Sequence, residues 1–308
     1  MKDLSNAAAV EVDSASEGQR VDNFLMRMCK GVPRSHVYRI LRTGQVRVNS
    51  RRVDATYRLQ PGDRVRIPPM RLARRDGEKI APPLHLPVVH EDEALLVVNK
   101  PAGTAVHGGS GISFGAIEQM RAGRPELRFL ELAHRLDRET SGLLILAKKR
   151  SALTSLHAAL REGQVKKEYL VLVKGNWRND KQHVSLPLRK FLTHSGERRV
   201  SVDREGKESA TVFRKKKGFR DYTLLSAELL TGRTHQIRVH LAHLGFPIAG
   251  DDKYGDFELN RALARQGLKR MFLHAGELEF LHPLSGDALK LHAPLPEDLS
   301  HFLDSLEG

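Results

Sequence analysis

Apolar residues recur at helical spacing twice near the start of the chain. In VDNFLMRMCKG they fall at Val21, Phe24, Leu25 and Met28, and in SHVYRILRTG at Val37, Ile40 and Leu41. Residues three and four apart share one helix face, so each stretch predicts an amphipathic helix. The second ends at Gly44, a residue suited to the left-handed position after a helix. QVRVNSRRV then alternates as a strand, and PGDRVRIP supplies a Pro-Gly turn and a second short strand. Helix, helix and a small sheet predict a compact module over residues 18–75. Residues 1–17 are small and acidic-polar and predict a loose tail.

Residues 76–87 read as a linker, stiffened around Pro82-Pro83. A second domain, 88–308, follows. Its Leu95–Val98 run predicts a strand broken by Lys100-Pro101 and Gly103, and GLLILAKK, KEYLVLVKG, DYTLLSAELL and MFLHAGELEFLHP predict further strands. SFGAIEQMRAGR and SALTSLHAALREGQ read as helices, the latter with Leu153, Leu156 and Leu160 on one face. Strands and helices mix without regular alternation, which places the chain in the α+β class with a mixed, largely antiparallel sheet.

Charge changes the picture for the first module. The net charge is +14. Residues 18–75 hold fifteen Lys and Arg against three acids (Asp22, Asp54, Asp63), a net of +12, and the rest of the chain is nearly neutral at +2. A basic block this dense inside a patterned segment points to a polyanion, above all nucleic acid. The single cysteine, Cys29, excludes an internal disulfide and a Cys-based zinc cage. No apolar run approaches a membrane span, and the N-terminus lacks a basic-then-apolar leader, so a cytoplasmic protein with no membrane partner is expected.

Candidate chemistry is sparse. There is no GxxxxGK[ST] and no GxGxxG after a strand; the glycine-rich HGGSGISFG (107–115) reads as a turn before a helix. HQIRVHLAH groups His235, His240 and His243, but on a helix His235 points about 140° away from His240, and no carboxylate cluster accompanies them, so no metal site is expected. HRLDRETSG (134–142) sets Asp137 between Arg135 and Arg138. Neighbouring cations keep a carboxylate ionised and ready as nucleophile or base. An ordinary surface ion pair would read the same way.

The longer block HRLDRETSGLLILAKKR resembles the active-site motif of the A group of ribosomal RNA pseudouridine synthases. VVNKPAGTAVH before it, KKEYLVLVKG after it and TGRTHQIRVHLAHLGFPIAGDDKYG later keep that family's order. GQRVDNFL, PRSHVYRILRTGQVRVN and GDRVRI resemble the S4-type RNA-binding domain, and the two resemblances together span about residues 18–295. They imply an S4-like domain ahead of a pseudouridine synthase domain, a cofactor-free and metal-free isomerisation of uridine in 23S ribosomal RNA, and a flipped target base. Asp137 then matches the essential aspartate, Tyr169 the tyrosine packing on the target base, Arg238 the basic partner of the aspartate, and Arg135 the arginine entering the vacated stack. The S4 likeness implies phosphate contacts for Arg34, Ser35, Arg39, Arg42 and Arg47, and His107 joins the RNA-binding set. Arginine forks bind phosphate oxygens bidentately and carry little sequence information. Two other classes remain open: a non-catalytic rRNA-binding assembly factor on the same scaffold, and a metal-dependent RNA hydrolase using the histidines. A monomer is expected.

Overall fold

The structure, a computed structural model, describes residues 7–13, 16–29, 31–70, 81–109 and 111–306. It separates into two compact units, Met1–Ile80 and Ala81–Gly308. In the first, β1 (Ala8–Glu11) precedes α1 (Val21–Met28), α2 (Arg34–Arg42), β2 (Arg47–Val48) and β3 (Arg64–Ile67). Val21, Phe24 and Leu25 of α1 and Val37, Ile40 and Leu41 of α2 are buried together against Val46, Val48, Val65 and Ile67. Burying one such side chain stabilises by about 1.5–3 kcal/mol, so the two apolar stripes account for the fold of this unit. After α2, Gly44 donates to Leu41 O and Gln45 to Ile40 O (3.0 and 2.9 Å), with Gly44 at φ +70°. This is the Schellman ending that the glycine predicts.

Two expectations for this unit are corrected. Residues 8–13 belong to the fold and not to a loose tail: Val10 and Val12 are buried, and β1 pairs antiparallel with β3, Val10 opposite Val65. The alternation AAVEV that does this is short enough to pass for tail composition. Residues 1–6 and 14–15 of that stretch lie outside the described residues. The strand expected across QVRVNSRRV stops at Val48. Asn49 and Ser50 take φ +49° and +67°, and Val48 and Arg51 exchange both backbone hydrogen bonds (3.0 and 2.9 Å), a two-residue hairpin turn whose twist suits the strands.

The second unit carries β4 (Val88–Glu91), β5 (Leu95–Lys100), α3 (Ala116–Gly123), β6 (Glu131–Leu132), β7 (Ser141–Ala147), α4 (Arg150–Arg161), β8 (Lys166–Lys174), β9 (Lys181–Ser185), β10 (Leu188–Leu192), β11 (Arg198–Val202), β12 (Ala210–Gly218), β13 (Tyr222–Leu229), α5 (Gln236–His243), α6 (Phe257–Arg265), β14 (Leu273–Leu281), β15 (Ala288–His292) and α7 (Glu297–Ser305). Its main sheet runs β4-β5-β7-β14-β8-β13-β12-β9, with β15 on β14 and β6 on β7; β10 and β11 form a separate ribbon. Among the described residues every pairing is antiparallel except β7 with β14, so the α+β class with a mixed, largely antiparallel sheet is what the chain adopts. Both faces are covered. On β8, Val171 and Val173 enter the core that holds Trp177, Phe213 and Ile237, and Leu172 between them enters the one closed by α6 and α7 through Leu263, Leu299 and Phe302. Strand side chains alternate between faces, so a strand buried on both reads as a continuous apolar run, as YLVLV does.

The linker expected at 76–87 is also corrected in its second half. Leu86 is buried in the core of the second unit and the Leu84 N–H bonds Gln119 O at 3.2 Å, so 81–87 belongs to this unit. Residues 76–80 lie outside the described residues.

Candidate active site

Asp137 lies on the turn that joins β6 to β7. The two strands pair through Leu132 and Leu146, Leu136 is buried, and the Thr140 N–H bonds Asp137 O at 3.2 Å. The rest of HRLDRETSG anchors this turn from behind. The Ser141 hydroxyl bonds His274 Nδ1 (2.9 Å) and accepts from Arg270 Nη2 (2.6 Å). Gly142 sits at φ +112° where a Cβ would meet Ala275 O at 2.2 Å, so the parallel pairing of β7 with β14 admits only glycine there. His134 accepts from the Ile145 N–H at 3.1 Å, and burial pushes it down to about 4, a neutral structural imidazole. Arg138 is exposed and pairs with its neighbour Glu139.

The partner of Asp137 is a hundred residues away. Arg238 on α5 is buried and donates from Nη1 to Asp137 Oδ2 at 3.0 Å. Its other edge forks onto Asp251, Nε to Oδ2 at 2.8 Å and Nη2 to Oδ1 at 2.7 Å. Asp251 is 1 % exposed and its Oδ1 also accepts from the Lys253 and Tyr254 N–H groups. Burial by itself would neutralise both groups. The fork and the backbone donors more than compensate, holding Asp251 below its ordinary value and Arg238 above. The Tyr254 ring lies against the guanidinium at 5.1 Å. Arg238 is therefore a fixed cation with one edge spent on Asp251 and one N–H aimed at Asp137. Asp137 Oδ1 accepts no hydrogen bond among the described residues.

Tyr169, 6 % exposed on β8, stands in register between Ala275 of β14 and Ala227 of β13, whose small side chains leave room for its ring. Burial and the charge of Asp137 both push its hydroxyl up, so it stays protonated. Asp137, Tyr169, Arg238, Arg135 and His107 line one cleft of about 1140 Å³. His107, Gly108, Gly109 and Ile112 form part of its wall: Gly109 and Ile112 exchange backbone hydrogen bonds, and Glu118 of α3 accepts from the Gly108 and Gly115 N–H groups. Arg34, Ser35, Arg39, Arg42 and Arg47 lie exposed on the first unit.

Three residues behind the cleft escape a reading of the sequence. Asp251 and Tyr254 sit in GDDKYG (250–255), with no spacing that marks either. The sequence marks Lys100 only as a strand breaker, yet it is buried and its ammonium donates to Pro101 O, Thr104 O and Arg138 O (2.8, 3.0 and 3.2 Å), tying the Asp137 loop to β5. Burial lowers it to about 8. The grouping of three histidines also comes apart: His240 is buried against the Ser209 and Thr211 hydroxyls (2.8 and 3.1 Å), and only His235 lines the cleft.

Residues 94–243 match the family model described as RNA pseudouridylate synthase, and residues 19–65 that of the S4 domain. The chain is 52% identical over 308 residues to the ribosomal large subunit pseudouridine synthase C of Salmonella typhi and to that of Escherichia coli K12, covering 97% of this chain and 96% of each relative. That of Yersinia pestis is 50% identical over 303 residues, covering 96% and 95%. Among solved structures, human RNA pseudouridylate synthase domain containing 4 superposes with a TM-score of 0.58 at 25% identity, covering 72% of this chain and 93% of that one. The two family models, the 52% identity over nearly the whole chain and a cleft in which Asp137 is held by Arg238 lead to one conclusion: the chain belongs to the RNA pseudouridylate synthase family, an RNA pseudouridine synthase with an S4 domain ahead of its catalytic unit.

Proposed function

We propose that this enzyme isomerises specific uridines of 23S ribosomal RNA to pseudouridine, with Asp137 as the reacting group. The observation that carries the reading is the Asp251–Arg238–Asp137 chain at the cleft. It holds Asp137 by one oxygen and leaves the other for the target nucleoside. In the reaction the N1–C1′ bond breaks, the uracil turns, and C5 bonds to the same C1′. One proton leaves C5 and one is gained at N1, so no redox partner is needed. A detached base must be held out of water, and Tyr169 supplies a flat, protonated wall for it. Extracting the base costs a few kcal/mol of stacking; Arg135, exposed at the cleft, offsets part of that by filling the gap. Exposed arginines of the S4 unit supply affinity for phosphates, and His107 adds a contact at the cleft wall. The large-subunit substrate named for the relatives supports the choice of RNA.

The test is Asp137→Asn assayed on 23S rRNA from cells that lack this enzyme. Pseudouridine formation is expected to fall by about 10⁴-fold, the scale seen when a catalytic group is removed and binding is kept, with RNA affinity held within threefold. Full activity of the variant would overturn the assignment. RNA binding by a wild-type protein that makes no pseudouridine would favour an assembly factor instead.

A further inference from the structure

Three non-glycine residues among those described have positive φ: Asn49, Ser50 and His235. The first two form a hairpin turn that requires it. His235, at φ 54° and ψ 23°, immediately precedes α5 and is the third residue of a turn closed by Gln236 N–H to Arg233 O at 3.2 Å, a place that glycine or asparagine usually fills. Holding an L-residue in this region costs about 1–2 kcal/mol, and such strain persists where the surroundings enforce it, commonly at functional sites. Here the strained backbone brings the imidazole into the cleft beside Asp137. Its Nε2 lies 3.8 Å from Asp137 Oδ1, the oxygen that Arg238 leaves free.

The other ring nitrogen fixes what Nε2 presents. His235 Nδ1 is 2.7 Å from the Tyr254 hydroxyl, which also accepts from the Val200 N–H at 3.0 Å. The hydroxyl's own proton has no other acceptor among the described residues, so it goes to Nδ1 and the ring carries its N–H at Nε2, towards Asp137. The charged groups around the ring are Asp137 and Asp251, which favour protonation, and Arg238 and Lys253, which oppose it. Burial outweighs them, and the imidazole is held below its ordinary value and stays neutral at pH 7. The same tyrosine packs on Arg238, so one side chain braces both groups that face Asp137.

We infer that His235 is a positioning residue for the isomerisation, the second orienting donor of Asp137, whose Nε2–H engages Oδ1 when the target nucleotide fills the cleft. Hydrogen bonds of this kind are often long in the empty enzyme and close in the reactive complex. A neutral donor suits the task, because it aims the reacting oxygen without tying it into a second ion pair. The inference rests on Asp137 being the reacting group.

The experiment measures single-turnover pseudouridine formation, with enzyme in saturating excess over 23S rRNA from cells lacking the enzyme, beside RNA affinity. His235→Ala is expected to slow turnover about 10²-fold, the scale for losing one preorganised donor, with affinity changed less than threefold. His235→Gln puts an amide N–H near the position of Nε2 and is expected to recover to within about tenfold of wild type. His235→Asn tolerates the left-handed backbone well but is too short to reach, and is expected to stay as slow as alanine. Tyr254→Phe, which frees Nδ1, is expected to slow turnover about tenfold. If Asn restores the wild-type rate, the strained backbone alone matters and the inference fails. It fails equally if the loss in the alanine variant lies in affinity alone. If His235→Ala does not fold, the Gln and Asn variants decide. A wild-type enzyme that makes no pseudouridine would sink the reading of the site itself, whereas an active wild type with unaffected His235 variants would sink only this inference.

Discussion

In the S4 unit Arg34, Arg39, Arg42 and Arg47 are all exposed, whereas in the catalytic unit Arg238 is 5 % exposed and held between Asp251, Asp137 and Tyr254. The acids follow the opposite logic. Two of the three acids of the basic segment are taken inward: Asp22 binds Arg20, Tyr38 and the Asn23 N–H, and Asp63 binds Asn49, Tyr57 and the Gln60 N–H. Burial opposes the charge of Asp22, but its donors hold it below the ordinary range. The outward face is thereby left basic, fit for a polyanion of any sequence. In the cleft the cation is held immobile. On the proposed reading, the same residue type serves affinity where it is solvated and orientation where it is buried.

The most forceful way to break this contrast is Asp251→Asn. The guanidinium then keeps only Asp137 as a close counter-charge and loses its charged fork on the buried side, so a loss of about 3 kcal/mol is expected. The exposed neighbour Asp252, 3.7 Å from Arg238 and 76 % exposed, is expected to matter by less than about 0.5 kcal/mol when changed to Asn. Urea unfolding followed through Trp177, the single tryptophan and a member of the catalytic core, measures both. Equal effects would mean that the fork is not what anchors Arg238.

Changing Arg34, Arg39, Arg42 and Arg47 together to Gln is expected to lower affinity for 23S rRNA about 10²-fold at 0.15 M salt and to flatten the salt slope by about three. Stability should stay within about 0.5 kcal/mol. A slope that does not move would remove these arginines from the interface.

Glycines sharpen the comparison further. Both Gly44 and Gly142 have positive φ, but a Cβ at Gly44 would meet the end of the flexible Arg52 side chain, and one at Gly142 the backbone carbonyl of Ala275. Gly44→Ala is therefore expected to cost about 1 kcal/mol and Gly142→Ala about 2 kcal/mol or more, with loss of activity as the Asp137 turn shifts. Circular dichroism in urea, combined with the pseudouridine assay, separates the two.

The smallest expected effect is on pH. His134 and His240 of the catalytic unit are pushed by burial from 6.5 down to about 4, and the one histidine of the S4 unit, His36, is not buried. The unfolded chain takes up these protons first, so stability is intact above about 6.5 and declines as pH falls towards 4. Trp177 fluorescence should show the catalytic unit losing about 1 kcal/mol between pH 7.5 and pH 6. A flat response would mean that neither imidazole is held neutral by the fold.

Much of the fold is legible in the sequence because it is local. The two helical stripes, the glycine helix stop, the Pro-Gly turn closed by Asp63 N–H to Gln60 O at 3.1 Å and the doubly buried strand YLVLV follow from spacing and turn chemistry. Where strands end is less so: β1 and the early stop of β2 depend on pairing with β3, a partner whose position no local pattern reveals. The site divides the same way. Asp137, Tyr169 and Arg238 are reachable through ordered motifs, but His235 stands in the sequence among histidines that the fold sends elsewhere. Asp251 and Asp252 make the point most sharply. They are identical neighbours in GDDKYG, and nothing in the sequence distinguishes them. The loop after α5 turns one inward to 1 % exposure as the anchor of Arg238 and leaves the other 76 % exposed, because the Nε–Nη2 edge of the guanidinium is filled by the fork of Asp251 at 2.8 and 2.7 Å while Asp252 comes no closer than 3.7 Å.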